Sequence, residues 1–149
     1  MIKVMFVCHG NICRSTMAEC VFTDMVKKMG IDSQFLISSS GTSTDEIGNS
    51  PYFGTVNKLN EVGIPVVEHF ATQLKRNDLE NYDYFIGMDN ANIKNMKRIL
   101  KNGDDKIFLL LSFAGKNRDI ADPWYTGNFD ETYEDVVDGL KGFLKYLGF

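Results

Sequence analysis

Cys8 and Arg14 are the residues that most directly suggest chemistry. They frame the segment Cys8-His9-Gly10-Asn11-Ile12-Cys13-Arg14-Ser15, which follows the apolar run Ile2 to Val7 and leads into a helical pattern. A strand, a tight loop and a helix start are the parts of an oxyanion cradle. The loop N–H groups turn inward, and the helix N-terminus adds partial positive charge. Cys8 would sit at the floor, where a thiolate is stabilised. Arg14 would clamp two phosphate oxygens with its guanidinium fork. The spacing alone is weak, because a Cys followed six residues later by Arg arises by chance in about one chain in twelve of this composition. The preceding strand, the internal Gly10 and Asn11, and Ser15 at the helix entrance make the combination specific.

The motif C-x-G-N-x-C-R-S resembles the low-molecular-weight protein tyrosine phosphatase family. A second motif of that family, an Asp-Pro followed by aromatics, stands here as Asp122-Pro123-Trp124-Tyr125, and the resemblance runs from the first strand to the last helix. It implies a flavodoxin-like α/β three-layer sandwich on a four-stranded parallel sheet. It also implies hydrolysis of protein phosphotyrosine through a cysteinyl-phosphate, with inorganic phosphate as product and no cofactor or metal. Cys8 would be the nucleophile, Arg14 would hold phosphate and stabilise transition-state charge, and Asp122 would be the general acid. A positioned acid matters because a leaving phenolate is poor unless protonated. Asp-Pro is also a common turn starter, which is the plainer reading of Asp122.

The remaining site residues have paired readings. His9, Gly10, Asn11, Ile12, Cys13 and Ser15 belong to the phosphate loop. Gly10 permits left-handed geometry or close backbone approach to phosphate, and Asn11 tolerates the left-handed region. Ser15 either caps the helix or, as the family implies, donates to the thiolate. Cys13 either captures an oxidised Cys8 as a disulfide or is a small packed residue. Cys20 falls off its helix's apolar stripe and reads as a spectator. Trp124 and Tyr125 would flank the entrance, where a ring can stack on an aryl phosphate. Ser39 and His69 match family positions that support the loop by hydrogen bonds. Asp89 matches a position near the site but more simply caps the helix that follows it. Ile12 resembles the tyrosine-directed members, where a threonine would resemble the arginine-phosphatase branch.

The match has departures. Aligned on Ile47-Gly48, Asp45 stands where the family usually has an aromatic. Tyr52-Phe53-Gly54 replaces an Asp-x-Arg, and Thr72 replaces an arginine soon after His69. One pocket wall is therefore expected to be acidic, with weaker stacking on phosphotyrosine and a bias towards substrates with basic flanks.

The elements that must position these residues alternate. The spacing predicts strands at Ile2 to Val7, Gln34 to Ser40, Tyr82 to Met88 and Lys106 to Leu111. The first helix is expected from about Ser15, with Thr16 and Glu19 spaced as a capping box, apolar residues from Ala18 to Met29 at helical spacing, and Gly30 as its stop. A second helix starts at Ser50-Pro51 and ends at Gly63, and a third spans about Asn90 to Lys101, closed by Gly103. The last runs from about Asp130 to Tyr146 with a stripe of Val136, Val137, Leu140, Phe143, Leu144 and Leu147. Ser112 to Asn128 reads as a long loop, which is usually functional. Such alternation implies a parallel sheet covered on both faces, with ligand at the carboxyl ends of its strands, where Cys8 lies.

The chain has 149 residues, 44% hydrophobic and 24% charged, which suits one domain over residues 1–149. A net charge of −4 argues against nucleic acid. A strand beginning at Ile2 leaves no room for a signal peptide, and no apolar run approaches a membrane span. Three cysteines within the first twenty residues are no disulfide framework, so the cytoplasm is the expected compartment. No nucleotide-binding glycine motif and no metal-ligand spacing is present. A thiol-dependent arsenate reductase shares the fold and loop but needs downstream cysteines, and none follows Cys20. A phosphate-binding module without turnover is the rival from another class.

Overall fold

The computed structural model describes residues 1–149. Four strands form one parallel sheet: β1 (Ile2–Cys8), β2 (Phe35–Gly41), β3 (Tyr84–Gly87) and β4 (Ile107–Leu109), in the order β2-β1-β3-β4. The helices are α1 (Arg14–Lys28), α2 (Phe53–Glu61), α3 (Asn90–Leu100), the short α4 (Pro123–Thr126) and α5 (Phe129–Tyr146).

β1 is central, so both its faces are buried. Its Val4, Phe6 and Cys8 join the core shared with α1 and α5, while Met5 and Val7 join a second core with Phe85, Met96 and Leu100. Alternation along a strand thus feeds two cores, which makes the sandwich three-layered. β1 pairs with β2 on one side and β3 on the other, with Cys8 beside Gly41. A crevice opens at the carboxyl ends where strand order reverses, and Cys8 stands at its edge.

Several boundaries differ from the sequence reading for identifiable reasons. α1 has no side-chain cap: Thr16 bonds the Cys13 carbonyl, and Glu19 turns inward to Ser39. α2 starts at Phe53 rather than Pro51, because Tyr52 stays extended and its N–H donates to the Ile12 carbonyl at 2.8 Å. α3 ends at left-handed Lys101 and Asn102 (φ 42° and 61°), not at Gly103, whose missing Cβ instead makes room for Leu79. β4 is short because Leu110 and Leu111 leave it in a 3-10 turn and are buried. α5 lies directly on that turn, where Gly139 and Gly142 have no Cβ to strike Leu110 and the Phe113 carbonyl. In its stripe, Val136, Leu140, Phe143 and Leu144 are buried, and Val137 and Leu147 are partly so. The long loop contains α4, and its Ile120 N–H reaches back to the Met88 carbonyl at 2.9 Å. Cys20 is a core residue, 2% exposed, because α1 is enclosed on all sides over its first nine residues. No helix is long and apolar enough to cross a membrane.

Candidate active site

The loop between β1 and α1 encloses a cavity of about 140 Å³ whose lining includes Cys8, Arg14, Asp122 and Trp124. Cys8 Sγ receives the Asn11 N–H at 3.3 Å and lies 3.0 Å from Ser15 Oγ. Asn11, not Gly10, takes the left-handed turn, at φ 61°. Gly10 serves a different purpose: a Cβ there would meet Glu46 Cγ at 3.3 Å.

The Asn11 side chain settles the proton directions. Its Oδ1 accepts from the Thr72 N–H at 3.0 Å, which can only donate, so Nδ2 is the end facing Ser15 and Ser39. Nδ2 donates to Ser15 Oγ at 2.8 Å and to Ser39 Oγ at 3.1 Å. Ser15 accepts from Asn11 and lies 3.0 Å from Cys8 Sγ, a contact in which either group can donate, and it does not cap the helix. Ser39 in turn donates to Glu19 Oε1 at 2.5 Å. His69 Nε2, 2.6 Å from Asn11 Oδ1, must carry its hydrogen there. Two runs of buried hydrogen bonds therefore diverge from Asn11 Nδ2, one through Ser39 to Glu19 and the other to Ser15 beside Cys8. Burial pushes Glu19 up and His69 down, each towards its neutral form. The 3.8 Å approach of His69 Nδ1 to Glu19 Oε1 works the other way, favouring the charged pair.

Arg14 is 2% exposed. Its Nη1 donates to Asp89 Oδ2 at 2.7 Å and to the Ile120 carbonyl at 2.8 Å, and Nη2 is 3.5 Å from Asp122 Oδ2. Burial opposes its charge, but Cys8, Asp89 and Asp122 outweigh that and raise it above the usual arginine range. Asp89 does both jobs that the sequence left open: Oδ1 caps α3 through the Asn92 N–H at 2.7 Å while Oδ2 holds Arg14. Asp89→Asn should keep the cap and lose the charge-assisted bond, worth about 1.5–3 kcal/mol. The expected result is a kcat/KM about tenfold lower or worse with thermal stability above that of Asp89→Ala, measured by kinetics and thermal unfolding together.

Asp122 is the N-cap of α4, accepting the Trp124 N–H on Oδ1 at 3.0 Å and presenting Oδ2 to the cavity. Trp124 packs on Tyr52, with centroids 4.9 Å apart at 62°. Tyr52 also stacks on Phe129, whose ring occupies the space a Cβ on Gly54 would fill. The departure Tyr52-Phe53-Gly54 thus fixes the tryptophan wall. Tyr125 is 84% exposed beside it.

Asp45 and Glu46 line the opposite rim, near His9 and Gly10. The wall is acidic as expected, and its carboxylates are hydrogen-bonded. His9 Nε2 is 3.0 Å from Asp45 Oδ2, and Asn49 Nδ2 donates to Glu46 Oε2 at 2.5 Å. Cys13 packs with Ile12 and Ala71, and burial pushes its thiol up to about 12, so it stays protonated at neutral pH and is a poor attacker of an oxidised Cys8. Burial likewise lifts Cys20 to about 11.

A profile of the family described as low molecular weight phosphotyrosine protein phosphatase matches residues 3–148. The chain belongs to this family. It is 39% identical over 152 aligned positions to the low molecular weight phosphotyrosine protein phosphatase of Schizosaccharomyces pombe, covering 98% of this chain and 97% of that one. The crystal structure of YfkJ from Bacillus subtilis superposes with a TM-score of 0.94 at 38% identity, over 99% of this chain and 95% of that one. SP-PTP, a low molecular weight protein tyrosine phosphatase from Streptococcus pyogenes, gives 0.89 at 39%, over 99% and 93%.

Around the phosphate loop, the sequence reading undervalues three groups. Glu19 was assigned to a cap, although a carboxylate one helical turn past Ser15 on the same face was a signal that it could reach the loop's support. Tyr52 registered only as a departure. The Ile120 carbonyl carries no side-chain signal at all.

Proposed function

We propose that this chain hydrolyses protein phosphotyrosine through a cysteinyl-phosphate on Cys8, with Arg14 and the loop N–H groups holding the phosphoryl oxygens and Asp122 as acid and then base. The observation that carries this reading is the convergence of Cys8, Arg14 and Asp122 on one cavity, with the Asn11 N–H donating to Cys8 Sγ at 3.3 Å and Ser15 Oγ 3.0 Å from the same sulfur.

Sγ attacks phosphorus in line as the bond from phosphorus to the tyrosine oxygen breaks. The Asp122 carboxyl proton passes to that oxygen, so neutral tyrosine leaves. Water then attacks phosphorus, its proton goes to the Asp122 carboxylate, and the sulfur–phosphorus bond breaks to release inorganic phosphate and restore the thiolate. The charge spread over the equatorial oxygens is met by Arg14, which Asp89 and Ile120 hold in place. Trp124 supplies the aryl wall. Three unpaired cysteines suit action in the cytoplasm.

Steady-state hydrolysis of p-nitrophenyl phosphate in EDTA, followed by phosphotyrosine and phosphoarginine peptides, tests the reading. Turnover that survives chelation and favours phosphotyrosine supports it. Inactive, fully reduced protein would leave a phosphate-binding module, and preference for phosphoarginine would move the chain to the arginine-directed reading. Asp45→Trp should lower KM for aryl phosphates by several-fold, through a stacking gain of about 0.5–1.5 kcal/mol. An unchanged KM would remove Asp45 as the cause of weak stacking.

A further inference from the structure

The mouth of the cavity carries more negative charge than a phosphate pocket favours. Asp45, Glu46 and Asp122 all line it, while Arg14 lies deep, its side chain 3% exposed and already shared between Asp89 and Asp122. An incoming phosphoryl dianion must pass the Asp45 and Glu46 carboxylates, while Asp122 carries the proton it will donate. Glu46 is engaged by Asn49, and Asp45 is engaged by His9. A carboxylate only accepts, so the hydrogen lies on His9 Nε2, as a neutral tautomer or as imidazolium.

Both side chains are more than half exposed, but the backbone that carries them is fixed. The Ser43 N–H donates to the His9 carbonyl at 3.0 Å, and the Thr42 N–H to the Cys8 carbonyl at 2.9 Å. Gly41 packs so closely that a Cβ would lie 2.7 Å from the His9 carbonyl oxygen. The end of β1 and the 42–46 loop are therefore one unit, and the bond from His9 to Asp45 closes it beside the nucleophile.

We propose that His9 sets the pocket's affinity for the phosphoryl group by compensating the Asp45 carboxylate at its mouth. The inference rests on the phosphatase reading. His9 need not touch the phosphate: it acts through Asp45, by covering a charge that would otherwise repel the substrate. Repulsion of this kind in a solvated mouth is modest and screened by salt.

The test measures binding of inorganic phosphate by calorimetry, beside KM for p-nitrophenyl phosphate, in wild type, His9→Leu, Asp45→Asn and the double variant at low ionic strength. His9→Leu should weaken phosphate binding and raise KM by about three- to tenfold, with the change on KM rather than kcat. Asp45→Asn should tighten phosphate binding. The double variant should bind phosphate more tightly than His9→Leu, and the His9→Leu defect should shrink in 1 M salt. A double variant as weak as His9→Leu would show that His9 acts by shape alone and would overturn the proposal, as would an unchanged His9→Leu. Phosphate binding is read without turnover. Failure of wild type to hydrolyse anything would thus overturn the phosphatase reading and leave this test standing.

Discussion

Cys8→Ser should abolish turnover, by at least about 10⁴-fold, while leaving phosphate binding close to wild type. The two effects separate because different groups carry them. The thiolate is by far the better nucleophile, since a serine hydroxyl in its place stays protonated at neutral pH. Phosphate, by contrast, is held in the proposed mechanism by Arg14 and the loop N–H groups, which the substitution does not touch. Arg14 is anchored independently of Cys8 by Asp89 and the Ile120 carbonyl. Calorimetry with inorganic phosphate and hydrolysis of p-nitrophenyl phosphate, run on the same preparation, check both halves. Turnover close to wild type in the serine variant would sink the covalent route through Cys8. Lost phosphate binding in a folded variant would mean that the sulfur, not the loop, organises the anion site.

Asp122→Ala should lower kcat on phosphotyrosine by about 10²–10⁴-fold and on p-nitrophenyl phosphate by clearly less. Tyrosine is a poor leaving group because its phenol ionises near pH 10, so protonation of its oxygen carries much of the barrier. The nitrophenolate is a far weaker base and leaves with less help. Some loss remains on both substrates, because the same carboxylate takes the proton from water in the second step. Asp122 also caps α4 through the Trp124 N–H, so alanine could act by loosening the tryptophan wall. Asp122→Asn keeps that cap and removes the acid. Equal losses in the two variants, selective for phosphotyrosine, establish proton donation. Full activity in the asparagine variant would reduce Asp122 to a cap.

The fold was legible because its signals are local. β1 reads as continuous apolar residues since a central parallel strand is buried on both faces, and Gly30 and Gly63 mark helix ends where the backbone is left-handed, at φ 72° and 75°. Boundaries moved where a distant partner outbid the local preference. Tyr52 held extended by the Ile12 carbonyl overrode the Ser50-Pro51 start, and Glu19 left its expected cap for Ser39. Cys20, off the apolar stripe, is buried because residues 64–67 cover α1, and the Val67 N–H reaches its sulfur at 3.4 Å.

The same division runs through the site. Cys8, Asn11, Arg14 and Ser15 lie within eight residues, so their convergence needs only a strand end, a left-handed turn and a helix start. Sequence by itself determined that cradle. Asp122 arrives from 108 residues away, and only tertiary structure brings it to Arg14. Tertiary structure alone also decided that Asp89 both caps α3 and grips Arg14, that Tyr52 props Trp124, and that Asp45 meets His9. The physical reason is common to all of these. A loop's conformation is set by backbone geometry that residue types encode over a few positions, whereas the direction of a proton or the pairing of a carboxylate depends on which distant chain segment is packed beside it.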